Sequence, residues 1–220
     1  MGGCPRARAA GALVAGILQT LRDRSAAGTN LLDIDRWTQQ MIAEAGAQSC
    51  YVDCALADGD LLSLHLAVSL QGVVADAALS FVVGDAQPPE SVAMIAATER
   101  ALLAGIAAAG PGARIGDVSH AIGSVLHEAG YQVNTDFGGH GVSSRMHQDP
   151  HMPNAGRPGR GYALRPGLLL ALEPWVMADT AELVMDADGW TLRSATGCRT
   201  AHSEHTIAIT EDGAEILTLP

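Results

Sequence analysis

A chain of 220 residues, 48% of them hydrophobic and 17% charged, can bury one large core. Its longest apolar runs are strand-sized and no leader segment argues for export, so the expectation is a cytoplasmic protein without a membrane partner. Twenty-four acids against 13 bases give a formal charge of −11 with no basic stripe, the wrong balance for nucleic acid.

The first element is an amphipathic helix over residues 5–25, with Leu13, Ile17 and Leu21 on one face and an end near Ala27-Gly28. A second helix runs from Asp33 or Asp35 to Ala45, carrying Ile34, Trp37, Met41 and Ile42 at helical spacing as core residues. From Asp58 the period changes to that of strands. Leu61–Leu70 and Val73–Val83, joined by Gln71-Gly72, form an antiparallel hairpin.

Pro88-Pro89-Glu90 opens a long helix whose apolar side is Val92, Ile95, Ala96, Leu102, Leu103 and Ile106, and Gly110-Pro111-Gly112 stops it. A further helix begins at Asp117 or Ser119, turns Ile122, Val125 and Leu126 inward, and ends at Gly130. Beyond it lie Tyr131–Val133, a glycine-histidine stretch, a proline-rich loop over 150–166, and a strand from Leu168 to Val176. Shorter strands follow at 181–185, 190–192, 206–210 and 215–219. Strands, two long helices and more strands make an α+β pattern built on antiparallel pairing. One domain over 1–220 is expected, with an N-terminal helix in 1–30 and the core in 31–220.

Four residues stand out chemically. His140 sits among Gly138, Gly139 and Gly141, where missing side chains let other groups approach the ring. Asp76 interrupts a buried-strand pattern, and a carboxylate there is costly unless paired or bound to a cation. Glu173 and Glu204 occupy the frames A-L-E-P-W and S-E-H-T. One imidazole with three carboxylates suits divalent manganese, iron, cobalt or zinc, and carboxylates can bridge two ions. The cysteines read as reduced thiols; Cys50 and Cys54 could make only half of a structural zinc site.

The frames G-G-H-G-V with His147 seven positions on, L-E-P-W, and S-E-H-T-I-A-I-T-E-D-G-A-E-I-L-T resemble those of type I methionine aminopeptidases, in the wider group with prolidase and creatinase. The resemblance covers Leu31 to Pro220 and implies the pita-bread fold, a pseudo-symmetric antiparallel sheet backed by helices with two metals in its cleft. By position it makes Asp76, His140, Glu173 and Glu204 metal ligands, with Glu173 or Glu204 also accepting the proton of a metal-activated water. It makes His147 the histidine that contacts the substrate amide, and Met146 and Trp190 part of the pocket for the substrate's first side chain.

The chain departs from that family twice. Where the family reads G-D-I-V-N-I-D-V, residues 59–66 read G-D-L-L-S-L-H-L, so His65 replaces a bidentate metal-binding aspartate of the second ion. His65 can bind that ion through one nitrogen, carry protons beside an empty second site, or merely fill space. Between Ala47 and Asp58 the chain also lacks the longer segment that, in the family, carries a proton-moving histidine and walls the methionine pocket; Cys50, Tyr51 and Cys54 are candidate remnants.

The expectation is therefore a divergent metal-dependent hydrolase with one tight ion and a weakened second site. It would act on an N-terminal amino acid, amide or small peptide-like substrate, with apolar surface at the cleft mouth favouring a homodimer. The alternatives are a binding or regulatory relative without activity, and a metal-free enzyme of the creatinase kind.

Overall fold

The structure, a computed structural model, describes residues 5–45, 56–187 and 191–219. Cys50, Tyr51, Cys54 and Trp190, singled out above, lie outside these.

Four helices are present: α1 (Pro5–Arg24), α2 (Leu31–Glu44), α3 (Pro89–Ala108) and α4 (Ile115–Glu128). Asn30 caps α2 by accepting from the backbone of Leu32, and Pro89 opens α3 where its missing N–H has no helical partner to lose. Helix α4 begins at Ile115, two residues before the expected Asp117, because the Asp117 carboxylate reaches back to accept from the Arg114 N–H. On α3 the buried side is Met94, Ala97, Thr98, Ala101 and Leu102. Val92 and Leu103, expected to face inward, are exposed. By length and composition α3 could cross a membrane, but half of it is buried within the protein.

The main sheet takes β1 (Leu61–Leu70), β2 (Val73–Val82), β11 (Glu204–Thr210), β6 (Leu169–Leu172), β4 (Gly138–Gly141) and β5 (Gln148–Pro153) in that order, all antiparallel, with β12 (Gly213–Ile216) also paired to β11. The β1–β2 turn has positive φ at both Gln71 and Gly72, the hairpin geometry that matches strand twist. A smaller sheet joins β10 (Thr200–His202), β7 (Trp175–Met177) and β3 (Gln132–Val133), and β8 (Leu183–Met185) pairs with β9 (Leu192–Ser194).

Two sequence expectations are corrected here. The apolar run 168–176 is not one strand: it breaks at Glu173-Pro174 into β6 and β7, which belong to different sheets. Proline cannot donate to a ladder and restricts the residue before it, so the run has to turn where Glu173 stands. The proline-rich stretch from Pro150 begins not as a loop but within β5, an edge strand, where proline is tolerated.

Alternation along the strands divides the two faces. Leu64, Leu66, Val68, Ala75 and Ala77 pack with α1 and α2, and Leu170, Leu172, Ile207 and Ile209 pack with α3 and α4. The residues between them, His65, Asp76, Ala78, Ala171, Glu204 and Thr206, therefore share the face turned away from these helices.

Candidate metal centre

The register places the candidate donors in two rows across that face. In one row, His65 on β1 lies opposite Ala78 on β2, and Ala78 lies opposite Glu204 on β11. Glu173 follows Leu172, which pairs with His205, so the same row continues to Glu173. In the other row, Asp76 is tied to Thr206 on β11, Thr206 pairs with Ala171 on β6, and Ala171 pairs with His140 on β4. Small side chains at Ala78 and Ala171 leave the acids and imidazoles free to meet above the sheet. Gly139 has a related role on β4: a Cβ there would run into the Ala171 carbonyl oxygen, so glycine lets β4 approach β6 closely.

All four residues singled out in the sequence converge. His140 Nε2 stands 3.8 Å from Asp76 Oδ2 and 3.6 Å from Glu173 Oε1, and Asp76, His140 and Glu204 offer donor atoms that all lie within 4.8 Å of one another. Asp76 and Glu204 are wholly buried. His140 Nδ1 is 3.1 Å from the Gly141 carbonyl, which can only accept; the ring hydrogen therefore belongs on Nδ1, leaving the Nε2 lone pair aimed at the carboxylates. Separations of 3.6–3.8 Å are too long for hydrogen bonds. They approach the spacing of about 3–3.5 Å between two donors bound to one ion at about 2.1 Å each.

His65 also points into the cluster, with Nε2 2.9 Å from Asp76 Oδ1 and 3.0 Å from Glu204 Oε2. His147 is exposed and lies edge-to-face with His140 at 4.5 Å between ring centroids, with Met146 half-buried beside it in sequence. Sequence reasoning missed His202. It sits two residues before Glu204 in extended chain, with Nε2 3.7 Å from Glu173 Oε2 and 3.8 Å from Glu204 Oε2. It also missed Trp175, the cross-strand partner of His202, whose ring lies against the exposed Phe137 at 5.8 Å. The signal was available: an H-x-E step in a strand puts both side chains on one face.

The backbone holds these groups in place. Buried Asn154 donates to the Glu173 carbonyl at 3.0 Å, and the Ser203 N–H donates to the Pro174 carbonyl at 3.1 Å, fixing the turn that carries Glu173. The neighbouring His205 points elsewhere, bonding Thr218 through Nδ1 at 2.8 Å.

Electrostatically the cluster is an acid centre that the His65 imidazole compensates only in part, through Asp76 and Glu204. Burial, then the charge of Glu204, pushes Glu173 up to about 9; burial, then Asp76, pushes Glu204 up to about 7. Burial opposes charge on His65, but Glu204 and Asp76 overcome it and raise the imidazole to about 11. Burial likewise works against the Asp76 carboxylate, yet its hydrogen bond to His65 holds it below the ordinary range. His202 is driven down to about 3, by burial first and then by His65. Among the described residues, Asp76 Oδ2, Glu204 Oε1 and His202 Nε2 are buried without a hydrogen-bond partner, and Glu204 Oε2 has only its 3.0 Å ion-pair contact with His65. Orphaned acceptors converging from separate strands fit a divalent cation.

Comparison with known proteins agrees. Residues 6–211 match metallopeptidase family M24. The chain belongs to that family, one of metal-dependent peptide hydrolases. It is 38% identical to methionine aminopeptidase 1 of Mycobacterium tuberculosis, covering 96% of this chain and 90% of the relative. That alignment runs over 241 positions, more than the 220 residues present here, so the relative carries positions this chain lacks. Among solved structures, methionine aminopeptidase from Thermotoga maritima superposes with a TM-score of 0.92 at 32% identity, covering 97% of this chain and 95% of that one. Prolidase from Pyrococcus furiosus shares the fold at a TM-score of 0.80 and 17% identity, over 98% of this chain and 63% of that one. The architecture of this M24 member is thus the α+β pita-bread fold.

Proposed function

We propose that the chain is a methionine-aminopeptidase-like hydrolase that releases an N-terminal residue from a peptide or small amide in the cytoplasm, with a substrate range wider than N-terminal methionine. The observation that carries this reading is the convergence of Asp76, His140, Glu173 and Glu204 from four separate segments, with buried lone pairs left unpartnered. These four residues would hold a tightly bound manganese, iron, cobalt or zinc ion. When bound, such an ion supplies Lewis acidity and makes water nucleophilic near neutral pH.

The remaining chemistry falls to the chain's own groups. Glu173 is the carboxylate of the cluster with some exposure, at 13% of its side chain, and it is the group suited to take a proton from the attacking water and pass it to the leaving amine. His147, exposed beside His140, is placed to donate to the substrate's carbonyl oxygen as negative charge develops there. Phe137 and Trp175 offer an apolar surface on the His202 side for the substrate's first side chain, and half-buried Met146, next to His147 in the chain, is the other candidate to line that pocket. The chain is shorter between Ala47 and Asp58 than the family segment that walls the methionine pocket, which is why substrates other than N-terminal methionine are expected.

The reading is tested by incubating metal-replete protein with a Met-Ala-Ser peptide and with peptides carrying bulkier first residues. Release of the first residue, together with loss of bound metal in His140→Ala, supports it. Protein that takes up no divalent ion under metal-replete conditions defeats it. A homodimer over the cleft mouth belongs to the same reading, and a monomeric mass by light scattering removes that part alone.

A further inference from the structure

Two imidazoles stand on the side of Glu204 away from His140. His65 and His202 face each other edge-on, with ring centroids 5.1 Å apart and planes at 83°, so their nitrogens can approach one point from two directions. His65, His202 and Glu204 each offer a donor atom, and these atoms all lie within 4.8 Å of one another.

The placement of His202 is fixed by the backbone. Its N–H donates to Ser80 Oγ at 2.9 Å, and Ser80 donates back to the His202 carbonyl at 2.7 Å. The Ser80 hydrogen is thereby committed, so Ser63, 2.7 Å away, must donate to Ser80. This chain of hydroxyls locks β10 to the β1–β2 hairpin and aims the imidazole at the acids. There Nε2 is buried without a hydrogen-bond partner among the described residues, although two carboxylates lie just beyond bonding distance. The wholly buried Glu204 carboxylate meets His65 through Oε2 at 3.0 Å and leaves Oε1 without a hydrogen-bond partner, and the 42% exposed side chain of His65 leaves a way in from solvent.

We propose that His65 and His202, with Glu204 as the shared carboxylate, form a second cation site that takes an imidazole-favouring divalent ion, zinc or nickel, in preference to manganese or magnesium. Two imidazole nitrogens, His65 giving up its proton to the ion, and one carboxylate are a poor match for ions that prefer all-oxygen sites and a good one for ions bound through imidazole. Asp76 Oδ1, 2.9 Å from His65, is the nearest fourth donor. The proposal deepens the hydrolase reading and rests on it for the cation on the other side of Glu204.

The test is metal stoichiometry of the full chain, stripped with chelator and titrated separately with zinc and manganese, read by calorimetry and elemental analysis. Wild type should take two equivalents of zinc and one of manganese. His65→Ala and His202→Gln should each keep the first zinc and weaken the second by at least about tenfold, in line with losses seen on removing groups that support a metal site. With cobalt in place of zinc, the visible spectrum of the second equivalent should change in His202→Gln. The proposal is overturned by a single equivalent of every ion, by a second manganese held as tightly as the second zinc, or by a second zinc indifferent to both substitutions. Should a variant fail to fold, the zinc-against-manganese comparison in wild type still decides. Absence of the first equivalent would instead strike at the hydrolase reading.

Discussion

Glu204 divides the centre into two halves built from different material. On one side Asp76, His140 and Glu173 supply two carboxylates and one imidazole; on the other, His65 and His202 supply two imidazoles, one with its ring partly open to solvent. Both halves share the ladder of β1, β2, β11 and β6, to which β4 adds His140 and β10, from the smaller sheet, adds His202. The contrast teaches that strand register decides where donors stand, while residue type decides which ion they suit. A residue can change at a ladder position without disturbing the frame around it.

The largest expected effect comes from removing what the halves share. Glu204→Gln keeps the shape but takes away the common charge, so both halves should lose affinity for metal and hydrolysis should fall by at least about 10²-fold, the scale for losing one positioned electrostatic or proton-transfer group. Elemental analysis and peptide turnover check it together; loss of one ion with the other intact would show that the halves do not share this residue. A second measurement separates the halves thermodynamically. Metal at about 100 times its Kd stabilises the folded state by about 2.7 kcal/mol, and about 2–4 °C per kcal/mol for a chain of this size gives a rise in Tm on the order of 5–10 °C over chelated protein. His140→Ala should abolish the rise with manganese, whereas His65→Ala should leave it largely in place. Equal losses in both variants would erase the distinction.

Much of this arrangement was legible in the sequence because the informative signals were local. Period-two alternation placed the 61–82 hairpin almost to the residue, and the register that follows from its two-residue turn turns His65 and Asp76 to one face. The frames around His140, Glu173 and Glu204 marked the acid side. The second half was less legible. His202 lies in a three-residue strand of the smaller sheet, and its nearness to His65 depends on how β10 docks on Ser80, a contact 122 positions away in sequence. The break at Glu173 was hidden by the apolar residues flanking it, although Pro174 was the warning. Val92 and Leu103 misled because α3 is apolar nearly all round, so hydrophobicity alone did not say which side meets the sheet.

A smaller effect tests how much the acid side depends on close strand approach. Gly139→Ala would set a methyl group against the Ala171 carbonyl, a backbone atom with little room to yield, so the cost should be about 1–3 kcal/mol as in other overpacked sites. Urea unfolding measures the loss. Because β4 carries His140 and neither β1 nor β10, the displacement should weaken manganese binding more than it weakens the second zinc. If both fall together, the two halves are mechanically one unit.

The smallest effect supplies the control, an acid that belongs to neither half. Asp117 accepts from the Arg114 and Gly159 N–H groups, each at 2.7 Å, and these hydrogen bonds hold its carboxyl below the ordinary range. A depressed native pKa means that the unfolded chain binds the proton more readily. The stabilisation from Asp117 is therefore fully present above the unfolded value near 3.8 and is lost as pH falls through the native one. In Asp117→Asn the side chain has one acceptor oxygen, and its amide would present a donor to the second N–H, so the variant should melt lower than wild type at neutral pH and the gap should narrow as the pH drops below about 4. A gap that stays constant through acid would mean that the carboxylate's charge contributes nothing to the start of α4. Asp179, held low by its hydrogen bond to Thr196, and Glu215, held low by Arg8, add acid dependence of the same sign, so all three are subtracted before the remainder is assigned to the acids that converge on Glu204.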